Sequence, residues 1–472
     1  MRFLKIFSLA LVMLASATAC EEALDINTNP LVATSADPNA VLPYVFVQYS
    51  SRHVTELGTR TMDVPQHMNV CFNSPRQGAT SIFLTGNTWN MYYTQVLGNL
   101  QLVEADALEA GAGSNNIAAI AKIFQAKCYF ELTCIYGDVP FSQALNGQEF
   151  PSPAFDAQQD ILSGCVSMLD EAMNLIDNMP DDVVDVSVGD IIYGGDMENW
   201  RRWANSLKLR ILMLILNKDN TINDQILASI SQPLIEDNSQ AAMIRYADNS
   251  AEANGWQRLI TNFFGGTNES SGVYSPAAAP YNLLSQNNDP RFDFMIYDPD
   301  TAGTAPIGQF TFPNPGGFAH YSNNVIRNDI PHIMCLPSEM SFYRAELALR
   351  TISDEDAQSL FKQGLRQICE FWGGDIPGAT ATIPDADITA FVDSFPTATL
   401  QDVHEQLYLE SFLRPVVAWN HVRRTKVPDM EAVPGSSIST ILKRFNYAPN
   451  EVAANPNAPA NLPTDAPMWF EN

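Results

Sequence analysis

Residues 200–216 read WRRWANSLKLRILMLIL, and nearly every position after Leu207 is apolar. A run of this length and composition predicts a helix that is hydrophobic almost all round. Such a helix is stable only inside a large body, with Arg201, Arg202, Lys208 and Arg210 reaching outward on long stems. Other segments repeat the helical period. Residues 89–108 carry Tyr93, Val96, Leu97, Leu100 and Val103 at steps of three and four; residues 116–135 carry Ile120, Ile123, Phe124, Lys127, Phe130 and Cys134. Residues 156–176 follow with Ile161, Cys165, Leu169, Ala172 and Ile176, and further helices are expected over 338–350, 354–372 and 400–420.

The fold class implied is all-α in the main, with minor and local strands such as 242–246 and 309–312. The recurrent plan, a pair of helices about 15–20 residues long joined by a short turn, resembles tetratricopeptide stacking, although no clean 34-residue period is present. Residues 249–337 break the pattern with Gly, Pro, Asn and aromatic residues, and 371–396 form a second loop-rich stretch. Loops this long inside a compact body are usually functional, and their aromatic content argues against disorder.

The front of the chain is a targeting segment. Arg2 and Lys5 precede an apolar core over 6–15, too short to span a membrane. Ala17, Thr18 and Ala19 then precede Cys20. A plain secretory leader also ends in small residues; the cysteine directly after them resembles a bacterial lipobox, with Ala17 where Leu is usual. The expected organisation is a signal peptide over 1–19, a tether over 20–40 lipidated at Cys20, and one helical domain over 41–472.

The chain has 53 acidic and 26 basic residues, a formal charge of −27. That balance disfavours nucleic acid and anionic headgroups as partners. Six cysteines remain after Cys20: Cys71, Cys128, Cys134, Cys165, Cys335 and Cys369. Their even number outside the cytoplasm permits disulfides, yet several sit in apolar helical patterns; buried free thiols are expected.

Several stretches carry a family likeness. These are CEEALDINTNP from Cys20, AKCYFELTCIYGDVPFSQAL over 126–145, NWRRWANSLKLRILM over 199–213, PSEMSFYRAELALR over 337–350, AWNHVRRTKVP over 418–428 and LKRFNYAPNEVAAN over 442–455. In combination they resemble the SusD/RagB family of outer-membrane nutrient-binding lipoproteins. Lys426 stands where the family signature usually has Gly, and Ala448 separates Tyr447 from Pro449. The resemblance implies a non-catalytic protein that is lipid-anchored on the cell surface. It would capture an oligosaccharide, or alternatively a peptide, and deliver it to a SusC-like TonB-dependent transporter. It also implies that Glu21 and Glu22 act as an export address.

The residues themselves show little chemistry. His404-Glu405 begins like a zincin helix, but Tyr408 stands where the second histidine must be. No P-loop, G-x-S-x-G elbow or dinucleotide loop is present. No cofactor or metal is expected. Asp181-Asp182 and Asp298-Pro299-Asp300 read as exposed acidic turns. A surface glycoside hydrolase remains the enzymatic alternative. Gly137 is expected to end a helix, and Arg423 and Arg424 to pair with carboxylates.

Sugar recognition requires flat rings for C–H faces and amides or arginine for hydroxyls. The candidates are Phe263, Phe264, Tyr274, Phe310, Phe318 and Tyr321, with Asn262, Asn268 and His320 beside them. Arg76 and Trp89 form a second group. The resemblance adds that a Trp at the start of a helix, near an Asn, can line the ligand site, as Asn87, Trp89 and Asn90 would.

Overall fold

The computed structural model describes residues 37–70, 78–249, 251–298, 303–304, 318–433 and 435–471. The leader over 1–19, Cys20, Glu21, Glu22, Cys71, Arg76, Asp300, Phe310 and the strand expected over 309–312 lie outside the described residues. Residues from Pro38 onward belong to one compact unit.

Helix α1 spans Pro38–Arg52 and continues through a π-helical turn, His53–Gly58. The next helical run is longer than its apolar stripe suggests. Helix α2 (Ile82–Asn90) passes through a π-helical stretch, Met91–Leu97, into α3 (Gly98–Ala110). The amide of Gly98 bonds the Tyr93 carbonyl five residues back. The wider turn carries an extra residue, which rotates the buried face of α3 relative to that of α2. A single 3.6-residue period cannot show this.

Helix α4 (Asn115–Tyr136) is the centre of the body: every residue but Asn115 and Lys122 is buried. Helices α5 (Gln158–Asp177) and α6 (Met197–Ile215) follow, and consecutive members of the series α3 to α6 pack on one another. Helix α4 ends as its sequence requires. Gly137 takes φ 87°, its amide bonds the Thr133 carbonyl, and a side chain there would meet the Arg444 guanidinium. Asp138 then accepts the amide of Gln158, tying the turn to the start of α5.

After α7 (Asn223–Ile230), strand β2 (Ala242–Ile244) pairs antiparallel with β6 (His332–Cys335). The two ends of the long insert therefore meet. The described parts of the insert carry more short helices and strands than a loop-rich reading of its Gly/Asn-rich sequence predicts. It holds α8 (Gly255–Phe263), α9 (Asn268–Ser271), α10 (Ala278–Leu284) and α11 (Arg291–Met295). It also contains β3 (Tyr274–Pro276), β4 (Ile296–Tyr297) and β5 (His320–Tyr321). Strand β3 pairs with β1 (Met68–Val70), and β4 with β5. Each helix is short for periodicity to reveal. Two carry side-chain caps: Asn254 accepts from the Trp256 amide, and Thr267 and Ser270 form a capping box; α10 and α11 start without one.

Helices α12 (Pro337–Leu349) and α13 (Ala357–Glu370) form the next pair, with α14 (Asp385–Asp393) against α13. The single helix expected over 400–420 is two, α15 (Leu400–Glu410) and α16 (Pro415–Thr425). Leu413 has φ 63° and Pro415 begins the second helix, so the chain breaks between them. Residues 442–471 return to the first helices. The amide of Phe445 bonds the Ile135 carbonyl, and the Trp469 amide bonds Gln158. The molecule is thus mainly helical with short strands, as its periodicity predicts. The described cysteines, Cys128, Cys134, Cys165, Cys335 and Cys369, are buried free thiols.

The core contains paired charges. Arg210 on α6 grips Glu339 with Nε at 2.6 Å and Nη2 at 2.7 Å. Arg414 reaches the same carboxylate at 2.6 Å and also holds Glu410. Two turns along α12, Glu346 receives both arms of Arg424 at 2.6 and 2.8 Å. His404 lies 3.3 Å from it, a pairing that uses the histidine of the zincin-like stretch. Arg423 departs from expectation. It bonds the Lys443 carbonyl and the Asn420 amide oxygen and lies over the Trp419 ring, with no carboxylate paired to it among the described residues. A second cluster gathers Tyr49, Tyr92 and Lys127 around Glu131.

Burial alone would raise the Glu339 carboxyl, but Arg210 and Arg414 outweigh it and hold it at about 2, below its ordinary 4.5. Its ionised form therefore stabilises the fold fully above pH 4.5, and that contribution is lost as pH falls towards 2. Glu339→Gln leaves the buried Arg210 without a carboxylate and takes one of two from Arg414, and is expected to cost about 3–5 kcal/mol at neutral pH. Urea denaturation of both proteins across the acid range checks this. The gap should close on acidification, and a pH-independent gap would contradict the assignment.

Candidate functional site

Ser81 caps α2 by accepting the Leu84 amide at 3.1 Å. The two residues after the cap, Ile82 and Phe83, stand 63% and 71% exposed. Capping fixes the backbone of this first turn, so both side chains are presented from a rigid element. Below them a groove of about 580 Å³ runs between α2 with its π-helical extension, residues 140–153, and helix α17 (Pro449–Ala454). Its size is within the range usual for small-ligand sites.

The floor is aromatic. Trp89 lies against Tyr93 at 4.8 Å, edge-on to Tyr136 at 5.1 Å, and near Phe155 and Tyr447 at 6.2 and 6.3 Å. Tyr93 donates its hydroxyl to the Pro140 carbonyl at 2.6 Å. Burial pushes that phenol well above its usual value, so it stays a donor at any physiological pH. The rim is polar. Asn87 donates to Glu56 at 3.0 Å, while Asn90, Thr94 and Asn450 line the groove with no side-chain hydrogen bond among the described residues. Glu451 accepts from Asn455 at 2.9 Å. No basic side chain lines the groove among the described residues. The arrangement offers an exposed ring, an aromatic floor and uncommitted amides, which suits a neutral polyhydroxylated ligand.

The structure thus brings together Asn87, Trp89 and Asn90. Trp89 is 5% exposed and acts mainly as a floor. Phe83, Tyr93 and Asn450 were not among the sequence candidates. Ser81 followed by two large apolar residues is the signal that could have found Phe83.

The other candidates are elsewhere. Phe263 is 77% exposed at the end of α8, with Asn262 exposed beside it and Phe264 and Phe318 half-buried. None of them lines the groove. Tyr274 and Tyr321 are core residues, not ligand platforms: their hydroxyls donate to the Trp256 and His67 carbonyls. Asn268 is spent bridging the Tyr274 and Tyr321 carbonyls at 2.8 Å each. His320 is buried against Ser275, and burial lowers its pKa. Among the described residues no group of three or more His, Cys, Asp or Glu is placed to hold a metal ion.

A family model described as "SusD-like_2: Starch-binding associating with outer membrane" matches residues 30–448. The chain belongs to the SusD-like family. This is a family of nutrient-binding proteins associated with the outer membrane. No curated protein matches the chain. Among solved structures, the Bacteroidetes AC2a SusD-like protein is 20% identical with a TM-score of 0.80, covering 93% of this chain and all of its own. A chitin-binding protein is 21% identical with a TM-score of 0.78, covering 92% of this chain and all of its own. A SusD/RagB family protein from Bacteroides thetaiotaomicron is 19% identical with a TM-score of 0.76, covering 93% and 99%. At these identities the likeness establishes the SusD-like fold. No helix among the described residues is long and apolar enough to cross a membrane.

Trp89→Ala in this SusD-like protein is expected to cost about 3–5 kcal/mol of stability, because it empties the floor. Phe83→Ala should leave the denaturation midpoint nearly unchanged. Thermal and chemical melts separate the two roles, and equal losses would show Phe83 to be a packing residue.

Proposed function

We propose that this SusD-like protein captures a neutral oligosaccharide in the groove beneath Phe83 and passes it to a SusC-like TonB-dependent transporter. It acts as a binding protein without turnover, anchored to the outer membrane through a lipid on Cys20 and facing the cell surface. The observation that carries the reading is Phe83. A large ring 71% exposed, held on a capped helix turn above uncommitted amides, is placed for contact with a ligand. Ile82 beside it is 63% exposed, so the two form an apolar patch rimmed by the polar side chains of the groove, the kind of surface that marks a binding site. The family description names starch and one structural relative is named for chitin, so malto- and chito-oligosaccharides are the first ligands to test. Among the described residues no basic side chain lines the groove, which argues against anionic glycans as its cargo.

Titration calorimetry with both series should give saturable binding that Phe83→Ala weakens about tenfold, equal to about 1.4 kcal/mol. Prolonged incubation should leave the oligosaccharides uncleaved on thin-layer chromatography. Shortened products that disappear on a single Asp or Glu substitution would instead support a hydrolase. Binding of peptides but not glycans would support the peptide alternative. Detergent-solubilised outer membranes should yield the protein together with a large barrel subunit.

A further inference from the structure

A second cleft, of about 710 Å³, lies between the turn that joins α10 to α11 and helix α14. It shares no lining residue with the groove at Phe83. One buried arginine ties its two walls. Arg291 is 1% exposed and clamps Asp289 in its own turn, with Nη2 to Oδ2 at 2.6 Å. The same nitrogen donates to Gln406 on α15 at 2.6 Å, and the guanidinium lies 5.6 Å from the ring centre of Phe391 on α14. The far wall is closed by Ile383, whose amide bonds the Gly373 carbonyl. The cleft is therefore built before any ligand arrives, and little ordering cost remains to oppose binding.

Part of its lining is polar and uncommitted. Asn287 and Asn288 are exposed, and neither side chain has a partner among the described residues. Asp293 and Asp387 are likewise exposed and without a basic partner there, although elsewhere on α13 and α14 Lys362 pairs with Asp393 and Arg366 with Asp385. Phe292, half-buried and braced edge-on by Tyr281 at 5.1 Å, supplies an apolar surface. No Lys, Arg or His lines the cleft among the described residues; Arg291 beneath it is already engaged by Asp289 and Gln406. Amides both donate and accept, carboxylates accept from vicinal hydroxyls, and a ring covers a C–H face. An anion placed there would meet two carboxylates with nothing to offset them.

We propose that this cleft is a second ligand site, independent of the Phe83 groove, that takes a neutral oligosaccharide and rejects anionic ones. The proposal does not depend on the groove being the capture site. It is tested by methyl NMR of isoleucine-labelled protein, with Ile383 reporting the cleft, Ile82 the groove and Ile211 the core. Maltotriose, cellotriose, mannotriose, tri-N-acetylchitotriose and trigalacturonate are titrated separately. At least one neutral trisaccharide should shift Ile383 saturably, and trigalacturonate should not. The Asn288→Gly, Asp387→Ala double variant should weaken that response at least tenfold while leaving Ile82 and Ile211 unchanged; Gly suits the φ of 52° at position 288. An Ile383 signal that ignores all four neutral trisaccharides, moves equally with trigalacturonate, or keeps its affinity in the double variant overturns the proposal. Failure of the groove reading would appear at Ile82 alone.

Discussion

Two glutamates on one helix hold the body together. Glu339 and Glu346 are seven residues apart on α12, so they project from nearly the same face two turns apart. The first takes Arg210 from α6 and Arg414 at the start of α16; the second takes Arg424 near the end of α16. Taking such charges out of water costs several kcal/mol per ion, and only well-formed pairing offsets it. A helix slipped by one residue would leave four or more charges unpaired in the core. The pairs therefore act on register more than on net stability, and they set where α6, α12 and α16 sit relative to one another.

That frame explains how an irregular insert can be positioned well. Strands β2 and β6 pair Ala242 with Cys335, so the insert leaves and re-enters the body at one place, directly before α12. Arg291 repeats the core's device on a smaller scale: held by Asp289 in its own turn, it joins the insert to α15 through the Gln406 amide oxygen and to α14 through the Phe391 ring. The groove relies on something different. Its floor is a packed set of rings, and its exposed face comes from a capped turn above a π-helical extension. Both concave surfaces lie outside the densest packing, where polar side chains can stay solvated until they are needed.

The long helices were legible because an apolar repeat of 3.6 residues survives any tertiary context; α4 and α6 match the expected spans to within a few residues. The π-helical stretch was not, since an extra residue breaks the period that would reveal it. The division between α15 and α16 depends on Leu413 adopting φ 63°, which no composition announces. Short helices in the insert are held by caps and tertiary contacts, not by a stripe. In the candidate groove, Trp89, Asn87 and Asn90 were singled out through the family likeness, while Phe83 looked like one more apolar residue. Tyr274 and Tyr321 show the converse: an aromatic in a Gly/Asn-rich segment looks the same whether it faces a ligand or, as here, donates its hydroxyl to a carbonyl inside.

The return of residues 442–471 to the first helices has a kinetic side. The groove has one wall from residues 82–94 and another from 448–454, segments separated by most of the chain. Closing contacts at that separation carries a large loop entropy, so this wall is among the last features to form during folding. It is equally the natural place for fraying to begin. A ligand bridging both walls would staple the earliest and latest portions of the polypeptide, so occupancy should register as resistance to proteolytic nicking near residue 450.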